Sequence, residues 1–152
     1  MTDVVIRAFQ PSDQVETKAL IEAGLKERFD PYLEDYNLDL NDLERHHLTM
    51  FVAIVDDQIA ACGDLTLASE TTVRITRMST KLEFRGRGLA KLILERLIFE
   101  ARDRGFSRVL LETNSDWSDA VRLYKRAGFR AFRNFFFDAT LELTEFELRF
   151  KP

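Results

Sequence analysis

One segment near the middle of the chain constrains the fold more than any other. Residues 72–80 are β-branched and partly alternating, which predicts a strand. A glycine-rich segment follows, and residues 89–104 then repeat apolar side chains at helical spacing until Gly105 ends the pattern. Residues 109–113 are a short apolar run of the kind found in buried strands. A chain that alternates strand and helix in this way predicts a sheet with helices packed on it.

The amino-terminal part carries weaker patterns. Pro11-Ser12-Asp13 lies between a strand-like run and an apolar helical repeat, which is typical of a capped helix start. Asp30-Pro31 interrupts that helix, because the residue before a proline disfavours helical backbone. Asp56-Asp57 separates two apolar runs and favours a hairpin. The predicted elements are a strand at residues 4–9, helices at 14–28 and 40–48, and strands at 50–55 and 58–67.

The carboxy-terminal part completes the pattern. Residues 117–127 place apolar side chains on one helical face and end at Gly128. Residues 129–150 hold seven of the thirteen phenylalanines and predict two closing strands, whose rings form sheet core or, where in surplus, a dimer face. The order β-α-α-β-β-β-α-β-α-β-β predicts an α/β (α+β) fold: a mixed central sheet of six or seven strands with helices on both faces.

Composition bounds the class of protein. At 152 residues, with 45% hydrophobic side chains, the chain predicts one globular domain over residues 1–152. No apolar run approaches the ~20 residues that span a bilayer, and the amino terminus lacks the apolar stretch of a secretory signal. Cys62, the single cysteine of the sequence, lies in an apolar run and predicts a buried side chain rather than a nucleophile. We therefore expect a cytoplasmic protein that binds no membrane.

Charge is unevenly distributed along the chain. The net charge of −4 argues against nucleic acid as a partner. Residues 74–91 carry six basic side chains and one acid, Glu83, whereas residues 30–44 carry six acids and no base. Two interpretations are open: two solvated faces, or one end that binds an anion and another that binds a cation.

A glycine-rich loop gives the basic stretch a specific chemistry. The first N–H groups of a helix lack internal partners, and the helix dipole leaves positive potential there. Glycines between a strand and that helix start let the backbone approach a pyrophosphate, and Arg85, Arg87 and Lys91 could add cationic contacts. A dinucleotide fingerprint would need glycine at position 91, and the Gly-Lys-Ser/Thr of a P-loop does not occur. A plain glycine turn with solvated arginines is the alternative. The loop reads Arg85-Gly86-Arg87-Gly88-Leu89-Ala90.

Two motifs resemble those of the GNAT family of N-acetyltransferases. The cofactor motif of that family, Arg/Gln-x-x-Gly-x-Gly/Ala, is similar to Arg85-x-x-Gly88-x-Ala90. A later segment resembles the family's Ala-x-x-Leu-Tyr-x-x-x-Gly-Phe, and the two motifs stand in the family's order over residues 72–129. The residues that match the later segment are Ala120, Leu123, Tyr124, Gly128 and Phe129.

The resemblance implies a fold, a co-substrate and a binding site. It implies two parallel strands that splay apart, with coenzyme A between them, and acetyl-CoA as the acyl donor with no metal. The loop would cradle the pyrophosphate, and the backbone of the preceding strand would meet the acetyl carbonyl and the pantetheine arm. The implied cofactor-binding residues are Met78, Ser79, Thr80, Arg85, Gly86, Arg87, Gly88, Leu89, Ala90 and Lys91.

Two residues are candidates for the chemistry. The resemblance implies that Tyr124 is the general acid, although a buried tyrosine is also an ordinary core side chain with one hydrogen bond. Glu112 lies in an apolar run twelve residues earlier, an offset at which some family members carry a catalytic glutamate. It is the candidate base, and a strand-end glutamate that pairs with an arginine is the rival interpretation. Glu70 is a poorer candidate, and a water relay is a third possibility.

Other residues leave alternatives open. Trp117 stands where many relatives carry an asparagine that contacts the pantetheine arm, so that contact is lost or replaced by packing. His46-His47 has no third ligand at useful spacing, which predicts surface residues rather than a metal site.

The predicted function is therefore direct transfer of an acetyl group from acetyl-CoA to a primary amine. The acceptor would be a small molecule or a peptide, and the acids of residues 30–44 would suit a cationic one. A homodimer is possible. The alternatives are a non-catalytic acyl-CoA-binding module and a partner-binding domain on the same fold.

Overall fold

The computed structural model describes residues 3–152. Its helices are α1 Gln14–Arg28, α2 Leu43–His46, α3 Leu89–Asp103 and α4 Ser118–Arg126. Its strands are β1 Val5–Ala8, β2 Thr49–Val55, β3 Gln58–Leu67, β4 Thr72–Thr80, β5 Arg108–Asn114, β6 Arg130–Phe136 and β7 Glu142–Arg149. The seven strands have the order β1-β2-β3-β4-β5-β7-β6, with β4 and β5 parallel. The predicted mixed sheet is confirmed.

The chain divides into two compact units. The first contains the described residues up to Thr66 together with Thr76–Leu97, and the second contains Leu67–Ile75 and Ile98–Pro152. Both β4 and α3 contribute residues to each unit. The single domain expected from the chain length stays a prediction.

The first unit is organised by an antiparallel hairpin. Strand β2 pairs with β1 on one side and with β3 on the other. The turn between β2 and β3 consists of Asp56 and Asp57, with φ angles of 50° and 60°. Two consecutive left-handed residues are the signature of a two-residue turn that matches strand twist, and aspartate tolerates this backbone better than most side chains. The predicted hairpin is therefore confirmed.

Helices cover both faces of the strands in the first unit. On one face, α1 and α2 pack into a buried cluster that includes Leu20, Leu43 and Cys62. On the other face, α3 lies close to Gly63, where an added methyl group would be 2.5 Å from Met78 Sδ and 2.8 Å from Ile93 Cγ2. Any larger side chain at position 63 would therefore displace the side chains of Met78 and Ile93.

The predicted helix over residues 40–48 is much shorter than expected. Only Leu43–His46 is α-helical, and 3₁₀ turns occupy Glu34–Asn41. Asn37 has a non-helical φ of −133°, and the Asp42 side chain accepts a hydrogen bond from the Arg45 N–H. Asp42 thereby caps a new helix start and prevents continuation from the preceding turns.

The second unit is built on three antiparallel strands, with β7 between β5 and β6. Strand β7 pairs with β5 and β6, and Thr72–Arg74 of β4 pairs in parallel with the start of β5. One face of this sheet buries Leu111 and Phe146, whereas the other carries arginines and glutamates. Glu147 is buried on that charged face and accepts hydrogen bonds from Arg108, Arg149 and Arg130, which hold its pKa at about 2.

The phenylalanine-rich tail only partly forms sheet core. Phe129 and Phe146 are buried, but Phe132, Phe136 and Phe137 are exposed by 41%, 65% and 65%. The cause is that β6 ends the strand order and has one neighbour, and its register shifts between Ala131 and Arg133. The expectation that the tail is core is therefore wrong for these three rings.

Among residues 3–152, no helix is both long enough and apolar enough to cross a membrane.

Candidate functional site

The glycine loop joins β4 to α3 with an open backbone. A 3₁₀ turn over Leu82–Phe84 follows β4, and the loop then runs to Leu89. Gly86 and Gly88 have φ angles of +78° and +80°, and an added methyl group at either would meet no atom within 4 Å. The backbone conformation therefore favours glycine at both positions, whereas crowding does not. Because no atom lies close to these glycines, a ligand can approach the peptide groups of the loop.

The start of α3 presents unpaired N–H groups. The N–H of Leu92 bonds to the Gly88 carbonyl oxygen at 3.1 Å, so the N–H groups of Leu89, Ala90 and Lys91 precede the hydrogen-bond ladder of the helix. The Leu89 side chain is buried and anchors this end of the helix. Unpaired N–H groups and the helix dipole are features that favour an anion at a helix start.

Arg85 anchors the loop to α1. Its guanidinium donates two hydrogen bonds to the Glu27 carboxylate, at 2.8 and 2.9 Å, and its Nε donates to the Thr80 carbonyl oxygen at 3.1 Å. The hydrogen bonds from Arg85 lower the pKa of Glu27. The positive charge of Arg85 is therefore already paired with the carboxylate of Glu27. The sequence did not predict this ion pair.

The other loop cations also have local neighbours. The Arg87 guanidinium lies 5.1 Å from the centre of the Phe84 ring, and Lys91 Nζ lies 3.9 Å from Glu95 Oε1. The lysine side chain is 69% exposed, so its ion pair with Glu95 is easily exchanged for a contact with a ligand.

The side chains at the end of β4 are occupied by packing. Met78 lies under Gly63 on the α3 side, and the Ser79 hydroxyl is 3.5 Å from the Leu20 carbonyl oxygen of α1. Gly24 of α1 is close enough that an added methyl group would be 3.0 Å from Ser79 Oγ. The backbone of these residues is therefore the part of β4 that a ligand could use.

A recess lies beside the loop in the first unit. Its volume is about 400 Å³, and it is lined by α1 on one side and by the chain from Thr80 to Arg85 on the other. Carboxylates of Glu16, Glu27 and Glu83 face it, together with the side chains of Ala19, Leu20 and Leu82. This volume is in the range of small-molecule sites.

Arg77 lies within β4, directly before Met78. Its φ is 55°, a left-handed conformation that is rare for a long side chain. The guanidinium donates to both carboxylate oxygens of Asp39 and to the Asn37 side-chain oxygen. The basic and acidic stretches recognised in the sequence are thus directly connected, and the interpretation of two separate solvated faces is wrong for this pair.

Tyr124 lies in an aromatic cluster of the second unit. It is buried, and its ring centre is 6.2 Å from that of Phe129 and 6.0 Å from that of Phe146. Gly128 ends α4 with a φ of 101°, which allows the chain to turn back into β6. The phenol ring therefore packs between two other aromatic rings.

Glu112 lies on the opposite face of the same sheet. It pairs in register with Glu145, whereas its neighbour Leu111 pairs with Phe146, the partner of Tyr124. The Glu112 side chain is 45% exposed, and Oε2 is 4.0 Å from Arg74 Nη1. The structure therefore does not place Glu112 beside Tyr124.

Comparison with known proteins identifies the family. The model of the acetyltransferase (GNAT) family matches residues 14–129. The chain belongs to the GNAT family. Its sequence and its fold both resemble those of other acetyltransferases.

Two relatives and one structure illustrate the likeness. YsnE, an uncharacterised N-acetyltransferase of Bacillus subtilis, is 34% identical over 61% of this chain and 63% of its own length. An IAA acetyltransferase of Azospirillum brasilense is 31% identical over 69% of this chain and 74% of its own. An acetyltransferase of Salmonella typhimurium, solved with its cofactor acetyl-CoA, has a TM-score of 0.80 at 18% identity, over 99% of this chain and 95% of that one. The chain thus spans less than two thirds of the Bacillus relative, and the structural likeness shows the GNAT fold alone.

The GNAT motif residues are distributed over both units. Residues 78–91 belong to the first unit, and Glu112 and Tyr124 belong to the second. Trp117 directly precedes α4. Glu70 is exposed in the turn between β3 and β4. The roles expected of these residues stay predictions.

The second unit has an open basic recess that the sequence analysis missed. It has a volume of about 510 Å³ and lies along α4. The only signal in the sequence was the helical spacing of five of its residues, which lie on α4, whereas Ser115 precedes that helix. The lining residues are Ser115, Ser118, Val121, Arg122, Lys125 and Arg126.

The prediction for the two histidines is wrong for one of them. His46 is exposed, but the His47 side chain is only 3% exposed and its Nδ1 lies 2.6 Å from Asp64 Oδ2. Among residues 3–152, no group of three His, Cys, Asp or Glu side chains could hold a metal ion. Cys62 is buried as expected, and burial raises the pKa of its thiol.

Proposed function

We propose that this protein transfers an acetyl group from acetyl-CoA to a primary amine by direct attack of the amine. The observation that carries the proposal is the open glycine loop at the start of α3, with two left-handed glycines and unpaired N–H groups. The GNAT relatives named as N-acetyltransferases support the same reaction.

Acetyl-CoA would bind through its phosphates and its acetyl carbonyl. The N–H groups of residues 86–91 would hold the pyrophosphate, aided by Arg87 and Lys91, while Arg85 would hold the loop against Glu27. Backbone groups of Met78 to Thr80 would bind the acetyl carbonyl, because the side chains of Met78 and Ser79 already pack against the helices. When bound, acetyl-CoA supplies the thioester. The proposal gives no role to a metal.

Glu112 and Tyr124 would exchange protons with different parts of the reacting molecules. A lysine-like amine with a pKa near 10.4 costs about 4.6 kcal/mol to deprotonate at pH 7, so a base or a desolvating pocket is needed. Tyr124 would donate a proton to the departing thiolate. The attacking amine and the departing thiolate are bound to the same acyl carbon, whereas Glu112 and the Tyr124 ring lie on opposite faces of one sheet. Glu112 would therefore take the proton of the amine through water and not directly.

An assay of thiol release tests this function. The chain is incubated with acetyl-CoA and a panel of amines: polyamines, aminoglycosides, amino acids and lysine peptides. The proposal predicts amine-dependent release of coenzyme A together with an acetylated amine. Binding of acetyl-CoA without turnover of any amine would favour the non-catalytic module, and the absence of both would favour a partner-binding domain.

The acceptor is proposed to be a cation recognised by the acidic segment. Within that segment Asp39 is paired with Arg77, and Asp42 caps α2. Glu34 and Asp35 are exposed and remain available to a ligand.

Neutralising Glu34 and Asp35 together, as Glu34→Gln and Asp35→Asn, is expected to raise the KM of a cationic acceptor about fivefold. Two exposed charges contribute on the order of 1 kcal/mol to such a contact. Steady-state kinetics at low ionic strength measure the change. The matched control is Asp56→Asn with Asp57→Asn, which removes the same charge at a turn that favours asparagine. Equal KM values in the two double variants would exclude this acceptor site.

A homodimer through β6 is also proposed. This strand ends the strand order, and Phe132 and Phe136 are exposed on it. Burial of exposed rings against a second copy would remove apolar surface from water. We expect Phe132→Asp with Phe136→Asp to convert a dimer to a monomer in sedimentation velocity. A wild-type chain that sediments as a monomer would refute the dimer.

A cytoplasmic location and the lack of nucleic-acid and membrane partners stay predictions from the sequence.

A further inference from the structure

Two buried side chains and one half-buried threonine form a polar network in the first unit. The Asp64 side chain on β3 is fully buried, and the His47 side chain just before β2 is 3% exposed. The Thr76 hydroxyl on β4 donates a hydrogen bond to Asp64 Oδ1. Nδ1 of His47 lies 2.6 Å from Asp64 Oδ2, outside the angles of a linear hydrogen bond.

Stability alone does not account for this network. Burial raises the pKa of Asp64, which shows the cost of an ionised carboxylate at this position, while the contacts with His47 and Thr76 oppose that rise. Buried ion pairs contribute little stability compared with apolar side chains of the same volume. Nε2 of His47 is also buried and has no hydrogen-bond partner within residues 3–152, which adds a further cost.

The network lies next to the left-handed residue of β4. Thr76 directly precedes Arg77, whose left-handed backbone costs roughly 1–2 kcal/mol for a residue with a side chain. The Cys62 thiol lies 3.4 Å from the Arg77 carbonyl oxygen, and the Arg77 side chain is bound to Asp39. Such a conformation persists only where the surroundings hold it, and here restraints act on both sides of Arg77.

The residues after Arg77 connect the network to the proposed acetyl-binding backbone. Met78, Ser79 and Thr80 follow directly, and their backbone groups are those proposed to meet the acetyl carbonyl. A left-handed residue reorients every peptide group that follows it, so the conformation of Arg77 sets the direction of these N–H groups. A donor that points away from the oxyanion loses most of its effect on the transition state.

We propose that His47, Asp64 and Thr76 form a positioning network that holds Arg77 in its left-handed conformation and thereby aims the backbone of Met78 to Thr80 at the acetyl carbonyl. The inference rests on the proposed function, since it names what aims the acyl-binding groups. None of the three side chains is proposed to touch the substrate.

Thr76→Val and Thr76→Ser test the network as a matched pair, because valine keeps the shape of threonine and serine keeps its hydroxyl. We expect Thr76→Val to lower kcat about tenfold with the KM for acetyl-CoA changed less than twofold, since the glycine loop is untouched. Thr76→Ser should retain wild-type kcat. The amide resonances of Met78 to Thr80 in the ligand-free protein should shift in Thr76→Val, while that of Gly88 should not.

The outcomes separate this proposal from the proposed function. Failure of the wild-type chain to bind or turn over acetyl-CoA would refute the function, and the amide resonances would still show whether the network holds β4. A Thr76→Val protein with lowered thermal stability but unchanged kcat and unchanged amide resonances would refute the network. If Thr76→Val does not fold, Asp64→Asn, which keeps the shape of aspartate, is tested in its place. Its kcat and the amide resonances of Met78 to Thr80 then decide whether the network positions the backbone.

Discussion

Replacing Gly88 with glutamate is expected to weaken acetyl-CoA binding about a hundredfold, or roughly 2.7 kcal/mol. Gly88 has a φ of +80°, and a side chain there enters open space, so the protein should still fold. The added carboxylate would lie beside the unpaired N–H groups of α3, where it competes with the pyrophosphate and repels it. Isothermal titration calorimetry measures the loss of affinity.

Gly105→Glu is the matched control for this change. Gly105 ends α3 with a φ of +87°, and an added methyl group there also meets nothing within 4 Å. The backbone strain and the charge change are therefore the same at both positions, but Gly105 lies at the other end of the helix. We expect Gly105→Glu to bind acetyl-CoA as the wild type does. Equal affinity in the two variants would show that the loop is only a structural turn.

Tyr124→Phe is expected to lower kcat about a hundredfold with little change in the KM for acetyl-CoA. The ring packs against Phe129 and Phe146, and phenylalanine keeps those contacts, so only the phenol hydroxyl is lost. Without a proton donor the departing thiolate is less stable in the transition state, an effect of 10²–10⁴-fold for general acids. Steady-state rates of thiol release measure it.

Tyr36→Phe provides the comparison for Tyr124→Phe. Tyr36 is 73% exposed and lies in the 3₁₀ turns before α2, so the same atom is removed from the first unit and not from the aromatic cluster of the second. It should retain wild-type kcat. If Tyr124→Phe also retains wild-type kcat, Tyr124 is a core side chain and the acid must be sought elsewhere.

The sequence predicted those parts of the fold whose signals are local. The ends of α1 and β4 agree with the predicted residues 14–28 and 72–80, because Asp30-Pro31 and a β-branched run mark them. The predicted cap of α1 is wrong, since the Asp13 carboxylate accepts hydrogen bonds from Arg7 and from the Gln10 N–H instead. Gly105 and Gly128 end their helices with positive φ angles, as their positions predicted. Each of these features depends on residues within a few positions along the chain.

The parts that escaped prediction depend on distant residues. Arg85 pairs with Glu27, which is 58 positions away, and the buried partner of His47 is Asp64 on another strand. No local pattern distinguishes a histidine that has such a partner from one on the surface. The exposed rings of Phe132 and Phe136 follow from the place of β6 at the end of the strand order, which the sequence did not specify.

The candidate site was predictable to a similar extent. The glycine loop was recognised because its glycines and the helix after it are contiguous. The face of Glu112 could have been inferred from the alternation of β5, since Val109, Leu111 and Thr113 are buried and Glu112 is exposed between them. The segment was interpreted as an unbroken apolar run instead, which hid the two faces.

Thermal unfolding with and without acetyl-CoA tests the central claim most directly. A ligand at 100 times its dissociation constant adds about 2.7 kcal/mol to the free energy of unfolding, which raises the Tm of a chain of this size by roughly 5–10 °C. The account predicts such a rise with acetyl-CoA and a much smaller one with acetyl-pantetheine, which lacks the pyrophosphate. No rise with any acyl-CoA would contradict it.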